Sequence, residues 1–230
     1  MALSHNPRTG VEYTLPDVED DRQSIERFLT TNKGKPVVVV QGLGFVGAVM
    51  SLVCANALTE DYAVIGVDLL EPATYWRIRS LNEGVFPLIA DDPLIDEFYH
   101  NAMSRGNFLA TYDPVAYQYA NIVIVDVNLD VQKVSGERGE LYEFSVDLTD
   151  FKSAIQTIAS RCREDVLLLV ETTVPPGTCQ QVVKPIMEEA LEKRGLRTDL
   201  YRLGHSYERV MPGPEYINSI RAYPRVYSGI

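Results

Sequence analysis

Cysteine, basic residues and long apolar runs are all scarce in this chain. Its 230 residues include only three cysteines, Cys54, Cys162 and Cys179, and no CxxC or other zinc spacing, which excludes a disulfide framework and predicts no metal site. Lys and Arg number 21 against 32 Asp and Glu, a formal net charge of −11 that disfavours nucleic acid as a partner. The longest apolar runs are strand-length and no signal peptide begins the chain. We therefore expect no membrane partner and a cytoplasmic localisation.

Short β-branched runs alternate with helical patterns from Pro36 onward. The runs occupy residues 37–40, 63–67, 108–111, 122–127, 166–170, 200–203 and 225–227. Because these runs are apolar on both faces, they suit a parallel sheet that is covered by helices on each side. The sequence therefore predicts an α/β fold, a doubly wound, Rossmann-like, mostly parallel sheet flanked by helices.

The pattern divides the chain into two parts. Residues 1–35 are polar and predict a flexible arm followed by a short helix that ends at Gly34. Residues 36–230 predict one domain, with helices expected over 46–58, 148–159 and 175–191.

A glycine-rich turn follows the first of these runs. The sequence Gly42-Leu43-Gly44-Phe45-Val46-Gly47 lies between a predicted strand and a predicted helix, as a dinucleotide fingerprint requires. The first glycine permits a tight turn, the second lets a pyrophosphate approach the backbone, and the third lets the helix pack on the strand. Backbone N–H groups at the helix start would then face the anion.

A carboxylate, Asp68, ends the second run, 21 positions after Gly47. At this place an acid accepts hydrogen bonds from a free ribose 2′-OH and repels a 2′-phosphate, so the sequence favours NAD over NADP. Arg77 and Arg79 follow, and we interpret both as solvated helix charges that lie away from Asp68.

Two polar segments follow the later strands. Glu171-Thr-Thr-Val-Pro-Pro-Gly-Thr178 places Thr173 ahead of a proline-stiffened turn, and Ser206-Tyr-Glu-Arg-Val-Met-Pro-Gly213 contributes Glu208 and Arg209. With the glycine-rich turn, these segments resemble, in order, the N-terminal domain of the UDP-glucose/GDP-mannose dehydrogenase family. The form of the last segment is more similar to the branch that oxidises UDP-N-acetylhexosamines (UDP-GlcNAc or UDP-ManNAc) than to the UDP-glucose branch.

The resemblance implies a twofold oxidation of a UDP-sugar C6 alcohol to a carboxylate with two NAD, typical of polysaccharide biosynthesis. Thr173 would position a water or the cofactor, Glu208 would join a proton relay or bind the nicotinamide side, and Arg209 would bind the substrate. Val127 and Asn128, after the fourth run, are further candidate cofactor contacts.

The family's cysteine nucleophile, central helix and sugar-nucleotide domain have no counterpart in this sequence. We therefore expect a truncated chain that is inactive alone, taken from a protein that is a homodimer at full length. Asn128-Leu129 and Tyr207 depart from the family pattern, and Tyr207 would leave Glu208 less rigidly fixed. Two alternatives stay open: a noncatalytic nucleotide-binding module, and a fragment of a 3-hydroxyacid-type dehydrogenase.

Overall fold

A seven-stranded sheet forms the centre of the protein. The computed structural model describes residues 2–129, 131–136, 138 and 140–230. Numbered along the chain, the sheet strands are β3 (Val37–Gln41), β4 (Ala63–Val67), β5 (Phe108–Thr111), β6 (Ile122–Val125), β9 (Leu167–Val170), β10 (Arg202–His205) and β11 (Ser228–Gly229). Two short hairpins supply the others: β1 (Leu3–His5) with β2 (Glu12–Thr14), and β7 (Val131–Ser135) with β8 (Leu141–Val146).

The strand order is β11-β10-β9-β6-β3-β4-β5. All neighbours are parallel except β11, which pairs antiparallel to β10 at the edge. The chain begins the sheet at β3, builds outward to β5, and then returns to β6 on the other side of β3. This order is that of a doubly wound dinucleotide-binding sheet, and the predicted fold class is confirmed. The order reverses between β3 and β6, which is where such sheets bind ligands.

Helices cover both faces of the sheet. They are α1 (Arg22–Thr31), α2 (Phe45–Ala55), α3 (Tyr75–Asn82), α4 (Leu94–Arg105), α5 (Thr149–Ala159), α6 (Lys184–Lys193) and α7 (Tyr216–Ala222). One core joins the sheet to α1, α5 and α6, and the other joins it to α2, α3, α4 and α7. Alternate β3 side chains enter opposite cores, Val39 the first and Val40 the second, because successive strand residues point to opposite faces. Among the helices of the described residues, none has the length and apolar character needed to span a bilayer.

The N-terminal segment differs from the expected flexible arm. Its β1–β2 hairpin binds α3 through Ser4, whose hydroxyl donates to the Pro72 carbonyl and accepts from the Trp76 amide. The Arg8 guanidinium donates to the carbonyls of Phe86 and Leu88. These contacts order the segment, because each one satisfies a backbone group that would otherwise need water.

Two further expectations need correction. Val131–Ser135 pairs with Leu141–Val146 as the β7–β8 hairpin, which the sequence interpretation did not anticipate. The helix expected over 175–191 begins later, with a π-helical turn at Cys179–Val183 that continues into α6. Pro175 instead anchors the preceding turn, where its carbonyl accepts from the Thr178 hydroxyl at 2.7 Å.

Candidate functional site

A cleft of about 930 Å³ opens at the carboxyl ends of the parallel strands. It crosses the point between β3 and β6 where the strand order reverses. Nine of the candidate site residues line it: Gly42, Gly44, Phe45, Val46, Asp68, Val127, Asn128, Thr173 and Glu208. The structure therefore brings together, in one cleft, residues that are up to 166 positions apart in the sequence.

The glycine-rich turn is shaped by contacts that exclude side chains. Gly42 has a φ of +95°, and a Cβ there would lie 2.5 Å from the carbonyl oxygen of Asp126. A Cβ on Gly47 would lie 1.8 Å from the Gly42 carbonyl oxygen. Both positions need glycine because the turn, the helix and the end of β6 are in direct contact.

The start of α2 offers room and donors for an anion. Gly44 is the N-cap, and no side chain caps the helix there. Nothing lies within 4 Å of the position of a Cβ on Gly44, and Phe45 and Val46 in the first turn also line the cleft. First-turn N–H groups have no partner inside a helix, and they carry a partial positive charge. The arrangement fits the pyrophosphate of a dinucleotide.

Asp68 lies at the end of β4, beside the glycine-rich turn. Its carboxylate accepts from the Leu43 amide at 3.2 Å and from the Leu69 amide at 2.9 Å. Burial raises the pKa of Asp68, and the two amides and Arg77 oppose that effect. The amides hold the carboxylate at the edge of the cleft, as contact with a ribose requires.

The position of Arg77 differs from the sequence expectation of a solvated helix charge away from Asp68. Its guanidinium nitrogen lies 3.6 Å from the Asp68 carboxylate, and the residue lines the cleft. It is therefore not a distant helix charge. Arg79 does point away, to an ion pair with Glu83.

The other half of the cleft contains three carboxyl groups on neighbouring strand ends. Asp126 follows β6, Glu171 follows β9, and Glu208 lies beyond β10; all three line the cleft. Backbone bonds fix their spacing: the amide of Glu171 donates to the Val125 carbonyl, and that of Glu208 donates to the Glu171 carbonyl, each at 3.0 Å. Sequence reasoning found only Glu208 of the three.

Arg225 joins two of these groups from the segment that leads into β11. Its guanidinium donates to Glu171 at 2.9 Å and to Glu208 at 2.7 Å. Burial alone would lower the pKa of Arg225, but the two carboxylates outweigh it and the pKa is raised. Glu208 is therefore held by an ion pair and a backbone bond, and Tyr207 does not leave it loosely placed.

Two buried carboxyl oxygens remain without a hydrogen-bond partner, Oδ2 of Asp126 and Oε2 of Glu171. Burial, reinforced by the charge of Glu208, raises the pKa of Asp126 to about 7. Burial, followed by the charge of Asp126, raises the pKa of Glu171 to about 9. Near neutral pH this half of the cleft therefore holds exchangeable protons.

The remaining candidates have different placements. Thr172, which the sequence reasoning passed over, is buried, and its hydroxyl accepts from the Val127 amide at 3.0 Å. It thereby fixes the loop after β6, whereas Thr173 is exposed to the cleft. Leu43 and Gly47 lie beneath the turn. Arg209 is outside the cleft lining, and its guanidinium lies 3.5 Å from the Pro224 carbonyl.

The cysteines and His205 lie in supporting positions. Burial raises the pKa of Cys54, Cys162 and Cys179, so none of them is an activated thiolate. The ring of His205 lies 3.4 Å from the Thr172 carbonyl, in a structural contact. Among the described residues, no group of three His, Cys, Asp or Glu side chains is arranged to bind a metal.

Comparison with known proteins agrees with this geometry. The sequence profile of the UDP-glucose/GDP-mannose dehydrogenase family, NAD binding domain, matches residues 36–229. The chain belongs to this family. Its glycine-rich turn and Asp68 lie next to one another in the cleft.

Named relatives of this family domain include the UDP-N-acetyl-D-mannosamine dehydrogenases of Pyrococcus horikoshii and Methanocaldococcus jannaschii. They are 28% and 27% identical to the chain, over 76% and 86% of its length. The crystal structure of NDP-N-acetyl-D-galactosaminuronic acid dehydrogenase from Methanosarcina mazei matches 90% of the chain with a TM-score of 0.71 and 25% identity. These names agree with the predicted N-acetylhexosamine branch. The chain spans 37%, 39% and 41% of these three proteins, respectively.

Proposed function

We propose that this chain is the NAD-binding part of a nucleotide-sugar 6-dehydrogenase that acts on a UDP-N-acetylhexosamine. The observation that carries the proposal is the cleft itself, in which Asp68, the open backbone at the start of α2 and the carboxyl cluster follow one another across the switch point of the sheet. The names of the relatives support the substrate class.

Each half of the cleft has a separate role in the proposal. The first turn of α2 binds the pyrophosphate, and Asp68 accepts hydrogen bonds from the adenosine ribose. Val127 and Asn128 line the path between the two halves. NAD, when bound, supplies the hydride acceptor for alcohol oxidation.

The protein's own residues then handle protons and orientation. Glu208 is the proposed proton acceptor or donor near the reacting alcohol, because it lines the cleft and Arg225 holds its carboxyl group in place. Thr173 is exposed to the same space and would orient a water or the cofactor. Arg209 would meet substrate if the segment after Glu208 turned toward the cleft, since its guanidinium now lies at the Pro224 carbonyl.

The described residues provide no activated cysteine, so a covalent step would have to use a group from outside this chain. We accordingly propose that the oxidation requires a further domain and that the complete enzyme is a homodimer. Incubation of the chain with NAD and a UDP-N-acetylhexosamine should produce no NADH absorbance at 340 nm. Measurable NADH from this chain would contradict that part of the proposal.

Cofactor binding can be tested on the chain as it stands. Calorimetric titration should show binding of NAD and weaker binding of NADP, because Asp68 repels a 2′-phosphate. Asp68→Asn should reduce this discrimination, since Arg77 then lies beside a neutral group, while Asp61→Asn at an exposed site should leave it unchanged. Tighter binding of NADP, or binding of neither nucleotide, would contradict the cofactor assignment.

A further inference from the structure

The cleft is strongly unbalanced in charge. Its acidic lining residues are Asp68, Glu71, Asp126, Asp150, Glu171 and Glu208. Among the described residues that line the cleft, Arg77 is the only basic one. It lies near Asp68, at the adenosine end. The excess of carboxyl groups is therefore greatest at the opposite end.

The carboxyl cluster at that end is incompletely paired. Arg225 satisfies one oxygen of Glu171 and one of Glu208, and none of its hydrogen bonds goes to Asp126. Glu171 lines the cleft but is only 3% exposed, and its buried Oε2 has no hydrogen-bond partner. Asp126, a partly exposed residue that also lines the cleft, has a buried Oδ2 without a partner. A buried carboxyl oxygen without a partner must either keep a proton or face a positive group.

A dinucleotide would bring a positive group to this place. With its ribose at Asp68 and its pyrophosphate at α2, the second half of the molecule extends across the switch point toward the ends of β6 and β9, where Asp126 and Glu171 lie. The nicotinamide ring is a cation in NAD⁺ and neutral in NADH. The two redox forms therefore present different charges to the same carboxyl groups.

We propose that Asp126 and Glu171 recognise the charge of the nicotinamide ring, so that NAD⁺ binds with release of a proton from this pair and NADH binds without proton release. The inference rests on the proposed placement of NAD. In the exchange, the O–H bond of one carboxyl group breaks, the proton passes to the solvent buffer, and the carboxylate that forms pairs with the pyridinium ring. No electron is transferred in this step.

Other groups around the pair affect its protonation without replacing it. Glu208 and Arg225 are hydrogen-bonded to each other in the same network. The negative charges of Glu171 and Asp126 act on the Cys54 thiol of α2, and that of Glu208 acts on the Tyr216 phenol of α7. Burial raises the pKa of the thiol to about 12, so it stays neutral between pH 6 and pH 8. Burial likewise raises the pKa of the Tyr216 phenol, so it too stays neutral there. Arg225 stays charged, which leaves Asp126 and Glu171 as the groups able to release a proton.

The test is calorimetric binding of NAD⁺ and of NADH to this chain at pH 7.5, in phosphate and in Tris. The two buffers differ in ionisation enthalpy, so a difference in the observed heat counts the protons released. We expect about one proton released for NAD⁺ and none for NADH. Release of one proton changes Kd about tenfold per pH unit, so the Kd for NAD⁺ should fall about a hundredfold from pH 6 to pH 8, whereas that for NADH should change less than about twofold.

Variants identify the groups responsible. Asp126→Asn and Glu171→Gln, combined in one chain, should abolish the proton release while circular dichroism confirms the fold. Asp150→Asn, which removes an exposed acid from the same cleft, should retain it. Release that persists in the double variant would overturn the inference.

The outcomes with the unmodified chain separate the two proposals. NAD⁺ binding without proton release, or equal release with NADH, would overturn the charge-recognition inference and leave the proposed function standing. Binding of neither nucleotide in either buffer would overturn the proposed function and, with it, this inference.

Discussion

Replacement of Asp126 by asparagine should stabilise the protein, and more so at pH 8 than at pH 5. Burial and the charge of Glu208 raise the pKa of this carboxyl to about 7 from its ordinary 3.8. Between pH 5 and pH 7 the unfolded chain has therefore lost a proton that the folded chain retains. Because the folded state binds more protons, the free energy of unfolding falls as the pH rises through this window.

The size of the effect follows from the pKa. Two pH units at about 1.4 kcal/mol each give about 3 kcal/mol as an upper bound. The side chain retains partial access to water through the cleft, so solvent screening reduces this to about 1–2 kcal/mol. Glu171 acts in the same direction, because burial, followed by the charge of Asp126, raises the pKa of Glu171 to about 9.

The assay is urea unfolding of the unmodified chain and of Asp126→Asn at pH 5 and pH 8, followed by circular dichroism. Asp150→Asn serves as the matched control, because that acid is exposed and should show no such trend. A stabilisation by Asp126→Asn that is equal at both pH values would refute the reasoning, as would a variant that is less stable at pH 8.

Further predictions concern the turn and the ion pairs. Gly47→Ala should destabilise the chain by more than about 2 kcal/mol in urea unfolding, because its Cβ would overlap the Gly42 carbonyl; Gly44→Ala, with open space around it, should unfold like the unmodified chain. If both variants unfold alike, the close contact does not determine stability. Arg225→Met should cost about 3–5 kcal/mol in urea unfolding at pH 8, since it leaves the carboxyl oxygens of Glu171 and Glu208 without their shared donor. Arg209→Met is the exposed control for thermal unfolding, and a loss equal to that of Arg225→Met would contradict the prediction.

Local signals in the sequence were sufficient for the central architecture. The run at 37–40 became β3, the glycine-rich turn became the start of α2, and Asp68 lies at the end of β4, because each depends on neighbours within a few residues. Signals for α4 were also present, Pro93 before it and Gly106 in the left-handed conformation after it, but they were not used. The β7–β8 hairpin lacks such a signal, because the apolar residues of β7, Val131 and Val134, are three positions apart and do not alternate with polar ones.

The carboxyl cluster depends on contacts between distant segments. Arg225 is 54 positions from Glu171 and 17 from Glu208, and no spacing or motif relates them. Nothing in the sequence around Asp126 distinguishes it as a site residue from its loop neighbours Val127 and Asn128. A carboxyl group at a strand end is common, and only the tertiary structure shows that its oxygen is buried without a partner. The roles of the individual site residues stay predictions.

The contact between the glycine-rich turn and the end of β6 links the two halves of the cleft. A Cβ on Gly42 would meet the Asp126 backbone at 2.5 Å, and one on Gly47 would lie 3.3 Å from the Asp126 Cβ. A side chain at either glycine would therefore displace the end of β6, and with it the Asp126 carboxyl group in the other half of the cleft.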